Sequence, residues 1–139
     1  MEKKLTYKLR QFESAISNFE DSLLIEQGVF PEIVLDTIES GRIQKFEFSC
    51  ELFWKVLKIF LYEIDGVDVN TPKGVVKSFF EAGYCDYDDY EQIIKMINDR
   101  NWLSHIYNNE TAGEIKGRLK EYLSLMRKIG LLITKKVEK

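Results

Sequence analysis

Leu5, Leu9, Phe12, Ile16, Phe19 and Leu23 recur at alternating spacings of four and three residues. Only a helix, turning once every ~3.6 residues, gathers such a set on one side, so the chain opens with an amphipathic helix whose stripe other elements must cover. The same spacing returns in Ile115, Leu119, Tyr122, Met126, Ile129 and Ile133, which marks a last helix. Between them a long helix is expected from about Glu32 towards Glu63, set off from the first by Gly28 and Pro31 and weakest at Gly41. A short helix follows, with Thr71 as its cap, Pro72 in its first position and Gly83 at its end. A fourth starts in the acidic cluster Asp86-Tyr87-Asp88-Asp89, where carboxylates suit the positive end of the helix dipole, and carries Tyr90, Ile94 and Ile97 inward. The fold class is all-α.

Composition narrows this further. Eight glycines and two prolines are too few for the turns of an all-β sandwich. A length of 139 residues is one domain's worth, so residues 1–139 read as a single helical domain that needs neither disulfide nor metal to fold. Cys50 and Cys85 stand alone in helical stretches, which fits reduced thiols and a cytoplasmic location. One histidine and no CxxC pair exclude a Cys/His zinc site. The first eight residues lack the apolar run of a signal peptide, and no stretch of about 18 apolar residues offers a membrane span. The net charge of −3 hides an asymmetry, because residues 114–139 carry 8 basic and 3 acidic side chains whereas residues 1–113 carry 12 and 20. The last helix could face a phosphate backbone or an acidic partner, or simply present a solvated face. The acidic whole argues against constitutive tight binding to duplex nucleic acid.

The second helix bears on assembly. Ile43, Phe46, Cys50, Phe53, Trp54, Leu57, Phe60 and Leu61 form one broad apolar face, and Phe48, Leu52, Val56 and Ile59 form a second strip on nearly the opposite side. Glu47, Glu51 and Lys58 part the two along one flank, Lys45 and Ser49 along the other. Such a helix is either central in its own bundle or at a subunit interface, and the second option predicts a homodimer.

Candidate chemistry sits towards the end of the fourth helix. The inward line of Tyr90, Ile94 and Ile97 is expected to continue into Asn101 and Ser104, flanked by Arg100 on one side and by His105, the sole histidine, on the other. Tyr107 lies seven residues beyond Arg100 and returns to nearly the same face. An inward stripe that turns polar beside an arginine and a histidine reads as a site, since unpaired buried polar groups are costly. The bland alternatives are a histidine that caps a helix end and an arginine that only pairs with Asp99.

The run Gly41-Arg42-Ile43-Gln44-Lys45-Phe46-Glu47-Phe48-Ser49-Cys50-Glu51-Leu52-Phe53-Trp54-Lys55-Val56-Leu57-Lys58 is followed by Thr71-Pro72-Lys73 and then by Asp99-Arg100-Asn101-Trp102-Leu103-Ser104-His105-Ile106-Tyr107. In that order these motifs resemble the nucleotidyltransferase substrate-binding protein family, a branch of the HEPN superfamily, over roughly residues 5–130. Two positions depart from the family pattern: Lys45 stands where arginine is usual, and Ile106 where a small hydroxyl residue precedes the tyrosine. The resemblance implies an antiparallel four- to five-helix bundle that dimerises. It also implies a separately encoded minimal nucleotidyltransferase as partner, the two forming a toxin–antitoxin pair. The helical member is then a metal-independent endoribonuclease that needs no cofactor, with Arg100, Asn101 and His105 as its catalytic residues. Arg100, Ser104 and His105 would hold RNA or a nucleotide, and Tyr107 would accept AMP from ATP and silence the enzyme. In other members the protein is only a binding subunit that presents a substrate or nucleotide to the transferase.

The residues suit the first role. Cutting RNA through its own 2′-hydroxyl needs a base, an acid and a cation for the developing phosphorane charge. Histidine serves as base or acid near neutrality, and a twofold dimer supplies two of them. Arg100 would grip phosphate oxygens while Asn101 orients the histidine or the phosphate. A non-catalytic binding subunit and a plain helical scaffold are the competing readings.

Overall fold

The computed structural model describes residues 2–103 and 109–138, and every regular element among them is a helix. The helices are α1 (Glu2–Leu23), α2 (Glu32–Asp65), α3 (Pro72–Glu81), α4 (Tyr87–Leu103), α5 (Asn109–Lys116) and α6 (Leu119–Val137), with a short 3-10 turn over Gln27–Val29. Four are long and two are short. The stripe that defines α1 goes inward as its spacing demands: Leu5, Leu9, Phe12, Ile16 and Phe19 are all buried.

α2 runs unbroken through Gly41 for 34 residues, about 50 Å at 1.5 Å per residue. It stops at Gly66, whose φ of 69° is the left-handed conformation that glycine adopts without Cβ strain. There Gly66 N–H donates to Tyr62 O at 3.0 Å and Val67 N–H to Leu61 O at 3.2 Å, satisfying carbonyls that the helix end leaves open. Thr71 caps α3 by accepting from Gly74 N–H at 3.2 Å, with Pro72 at the first position as expected. Asp86 does the same for α4, its Oδ1 accepting from Asp89 N–H at 2.8 Å.

The core is one cluster laced by aromatic pairs that radiate from α2. Phe53 meets Phe12 with centroids 5.9 Å apart, and Phe46 meets Phe19 at 5.9 Å. Residue numbers on α1 rise as those on α2 fall, so the two helices are antiparallel. Phe46 also stacks on Tyr122 of α6 at 5.7 Å, and Phe60 meets Phe79 of α3 at 6.1 Å. α6 runs antiparallel to α1, with Arg127 donating to Glu20 at 2.7 Å and Gly130 set against the Phe12 ring.

Two expectations change. The single last helix is two, because the chain breaks at Gly117–Arg118, where Arg118 N–H donates to Ile115 O at 2.9 Å in a tight turn. The two apolar strips of α2 are also one. Ser49, expected to part them, is fully buried, and Leu52 and Val56 join the core through it. α2 is thus central in its own bundle, touching α1, α3, α4 and α6. Of the second strip only Phe48 stays open, at 59% exposure.

Candidate functional site

The buried line of α4 is Ile93, Met96 and Ile97. Seven residues on from Ile93, two full turns, stands Arg100, half-buried, while Asn101 is exposed. The polar turn of the inward stripe therefore falls on Arg100 and not on Asn101, as a helix of ~3.6 residues per turn started at Ile93 requires. Ser104, His105 and Tyr107 lie outside the described residues.

Asp99 reaches across the helix break to the start of α6. Its carboxylate accepts from Arg118 Nε at 2.9 Å, and the Tyr122 hydroxyl donates to the same oxygen, Oδ2. The pair is largely shielded, with side chains 13% exposed for Asp99 and 24% for Arg118. The hydrogen bond to Asp99 raises the Arg118 guanidinium above its ordinary value, and burial followed by the Asp99 bond raises the Tyr122 phenol. Both groups keep their protons at any physiological pH. Tyr122 is rooted in the core by its stack on Phe46, so the end of α4 is moored to the start of α6. That mooring fixes the backbone at Asp99, one residue before Arg100.

Arg100 opens onto a groove of about 600 Å3 that crosses the solvent face of α2 between α1 and the end of α4. α1 lends Asn18, and α2 lends Gln44, Lys45, Phe48 and Glu51. The cation is close enough to Cys50 to pull that thiol down, but burial outweighs it and the thiol is raised well above its ordinary range. Cys50 is thereby an inert packing group, not a nucleophile. Among the described residues, no group of three or more His, Cys, Asp or Glu could hold a metal ion. Nor is any helix of the described chain long and apolar enough to cross a membrane.

The basic last helix uses several of its charges within the chain. Lys128 reaches Asp89 at 2.9 Å, Arg127 reaches Glu20, and Lys136 lies over the Tyr84 ring at 5.3 Å. Sequence reasoning missed a different cation. Arg42 is buried and closes the open end of α1, its Nε donating to Ser22 O and Nη2 to Ile25 O, both at 2.7 Å. An arginine on the otherwise apolar inner side of α2 was the available signal. The Asp99–Arg118–Tyr122 triad also escaped, since its partners lie 19 and 23 residues away across a helix break.

The family described as "Nucleotidyltransferase substrate binding protein like" matches residues 7–133. A Haemophilus influenzae protein named "Probable ribonuclease HepT" is 30% identical over 97 residues, which cover 67% of this chain. The chain spans 65% of the length of that curated relative. A crystal structure of a protein from Thermus thermophilus superposes with a TM-score of 0.75 at 28% identity, over 92% of this chain and 99% of the other.

Proposed function

The chain belongs to the nucleotidyltransferase substrate-binding protein family, within the HEPN group, and from that premise we propose that it is a metal-independent endoribonuclease, the toxin of a pair whose nucleotidyltransferase silences it by AMP transfer to Tyr107. The observation that carries the reading is Arg100, brought half-buried to an open groove at the moored end of α4, with Asn101, Ser104 and His105 following it in the chain.

Residues 1–139 act as one helical unit in the cytoplasm, where Cys50 and Cys85 stay reduced, and two copies meet to form the working site. One His105 takes the proton from the RNA 2′-hydroxyl, and that oxygen attacks the adjacent phosphorus. The second His105, protonated, gives its proton to the departing 5′-oxygen, leaving a 2′,3′-cyclic phosphate and a 5′-hydroxyl. Each histidine is worth about 10²- to 10⁴-fold. Arg100 stabilises the charge that gathers on the non-bridging oxygens, and Asn101 orients the histidine or the phosphate. Modification joins the Tyr107 oxygen to the α-phosphorus of ATP and releases pyrophosphate. A phosphodiester then sits beside Arg100 and His105, neutralises the cation RNA must meet and blocks its entry.

A second reading, a nucleotide-binding subunit without catalysis, draws on Glu47 and Glu51, whose carboxylates line the same groove as Arg100 and oppose a long phosphate run. The test is incubation of unmodified protein and its His105→Ala variant with RNA in excess EDTA, with Tyr107 checked by intact mass. Cleavage by the wild type, lowered about 10²- to 10⁴-fold in the variant, is the expected result. No cleavage of several RNAs by unmodified wild type overturns the ribonuclease in favour of the binding subunit.

A further inference from the structure

We propose that the groove over the outer face of α2 seats a nucleobase, stacked on Phe48, with the adjoining phosphates held by Lys45 and Arg100. The assignment rests on the reading of Arg100 as a phosphate-holding group and holds for a ribonuclease or a binding subunit alike.

Phe48 is a large aromatic left 59% exposed, whereas Leu52 and Val56 of the same strip have gone into the core and Ile59 is half-buried. It does not stand on a bare apolar patch. Asn18 and Gln44 put amide donors and acceptors on the rim, and Lys45 and Arg100 bring cations from two different helices. On α2, Lys45 lies about 60° to one side of Phe48 and Glu51 about 60° to the other, given ~100° per residue. The groove's volume of about 600 Å3 falls within the ~300–1,000 Å3 of small-ligand sites.

The charges decide the ligand class. A continuous phosphate backbone prefers an unbroken basic track, and here the carboxylates of Glu47 and Glu51 interrupt one; Glu51 also pairs with Lys55 at 3.4 Å. An unpaired base flanked by phosphates fits the mixture better. Its face stacks on Phe48, its edge meets amides and carboxylates, and the phosphates reach the two cations. A duplex, with its bases stacked on one another, offers no free face. The ligand is a nucleotide, either free or within a single strand.

The experiment measures binding of a fluorescein-labelled 2′-O-methyl oligoadenylate, which has no 2′-hydroxyl to attack with, against an abasic strand of equal length. AMP serves as competitor, and the protein carries no modification on Tyr107. Phe48→Ala is expected to weaken oligoadenylate binding about 5- to 150-fold, the stacking contribution of one base. The abasic strand should bind the variant as it binds the wild type, Phe48→Trp should restore the oligoadenylate, and the mass in solution should not change. Competition by AMP assigns the seat to a free nucleotide, and its failure assigns it to a base within a strand. Equal weakening of both strands, no weakening, or no binding by the wild type overturns the proposal. So does a loss accompanied by dissociation of a dimer that Phe48→Trp fails to restore, which makes Phe48 a contact between copies. Failure of RNA cleavage in the preceding test overturns the ribonuclease and leaves this seat standing.

Discussion

Phe46 and Phe48 are two residues apart on one helix and meet opposite fates. Phe46 is fully buried between Phe19 and Tyr122, whereas Phe48 stands 59% exposed in the groove that Arg100 lines. Two positions on a helix turn the side chain by about 200°, so the pair samples both faces of α2 in the same chemistry. The inner face supplies cohesion, because each ring there joins α2 to another helix. The outer face contributes little to cohesion at Phe48 and keeps an aromatic surface available to a ligand. The sharpest way to break this contrast is Phe46→Ala against Phe48→Ala in urea unfolding. The first should cost about 3–5 kcal/mol, a buried aromatic replaced by a cavity, and the second no more than about 0.5 kcal/mol. Equal costs would mean that Phe48 is covered in solution.

Tyr122 links the two faces. Its ring stacks on Phe46 while its hydroxyl reaches Asp99, one residue before Arg100. Asp99→Ala removes the acceptor for both Arg118 and Tyr122 and leaves a half-buried guanidinium without its counter-ion. The expected loss is about 1–3 kcal/mol, with hydrogen exchange quickening at the end of α4 and the start of α6 and the middle of α2 little changed. An Asp99→Ala protein as stable as the wild type would remove the mooring, and with it the view that core packing fixes where Arg100 stands.

Local signals were the legible part of this molecule. The 3/4 spacing gave the inner residues of α1 and α6, the Thr71-Pro72 pair gave the start of α3, and the acidic cluster gave the start of α4, because each is written within one or two helical turns. What escaped depends on residues far apart in the chain. Ser49 looked like a polar divider until the other helices closed over it. The break at Gly117–Arg118 interrupts a stripe whose period runs straight through it. Asp99 finds Arg118, 19 residues on, only once the fold brings the start of α6 beside the end of α4. Of the candidate site, the structure places Arg100 at the groove and Asn101 on the exposed side of α4. Most of the groove's lining lies in the Gly41–Lys58 run, but its meeting with Asn18 of α1 and Arg100 of α4 is written in no one segment.

The smallest expected effect concerns Cys50 and Cys85, which repeat the inner-versus-outer contrast with a titratable group. Cys50 lies on the buried side of α2, and burial raises its thiol well above the ordinary range. Cys85 is half-buried before α4, and burial, then Asp89 and Asp86, push its thiol from 9.0 up to about 11. Tyr84 beside it donates to Asp65 at 2.8 Å, and burial with that bond moves its phenol from 10.0 up to about 12. In each case the folded chain keeps its proton to a higher pH than the unfolded chain. The stability this adds is complete below about pH 9, where both states are protonated, and drains away as pH rises towards 11 and 12. The urea midpoint should therefore hold steady up to about pH 8.5 and then fall. Iodoacetamide at mildly alkaline pH should label Cys85 slowly and Cys50 only once the chain unfolds. Labelling of Cys50 at the rate of Cys85 in folded protein would show that the inner face of α2 opens as readily as the surface, and the contrast between the two faces would fail.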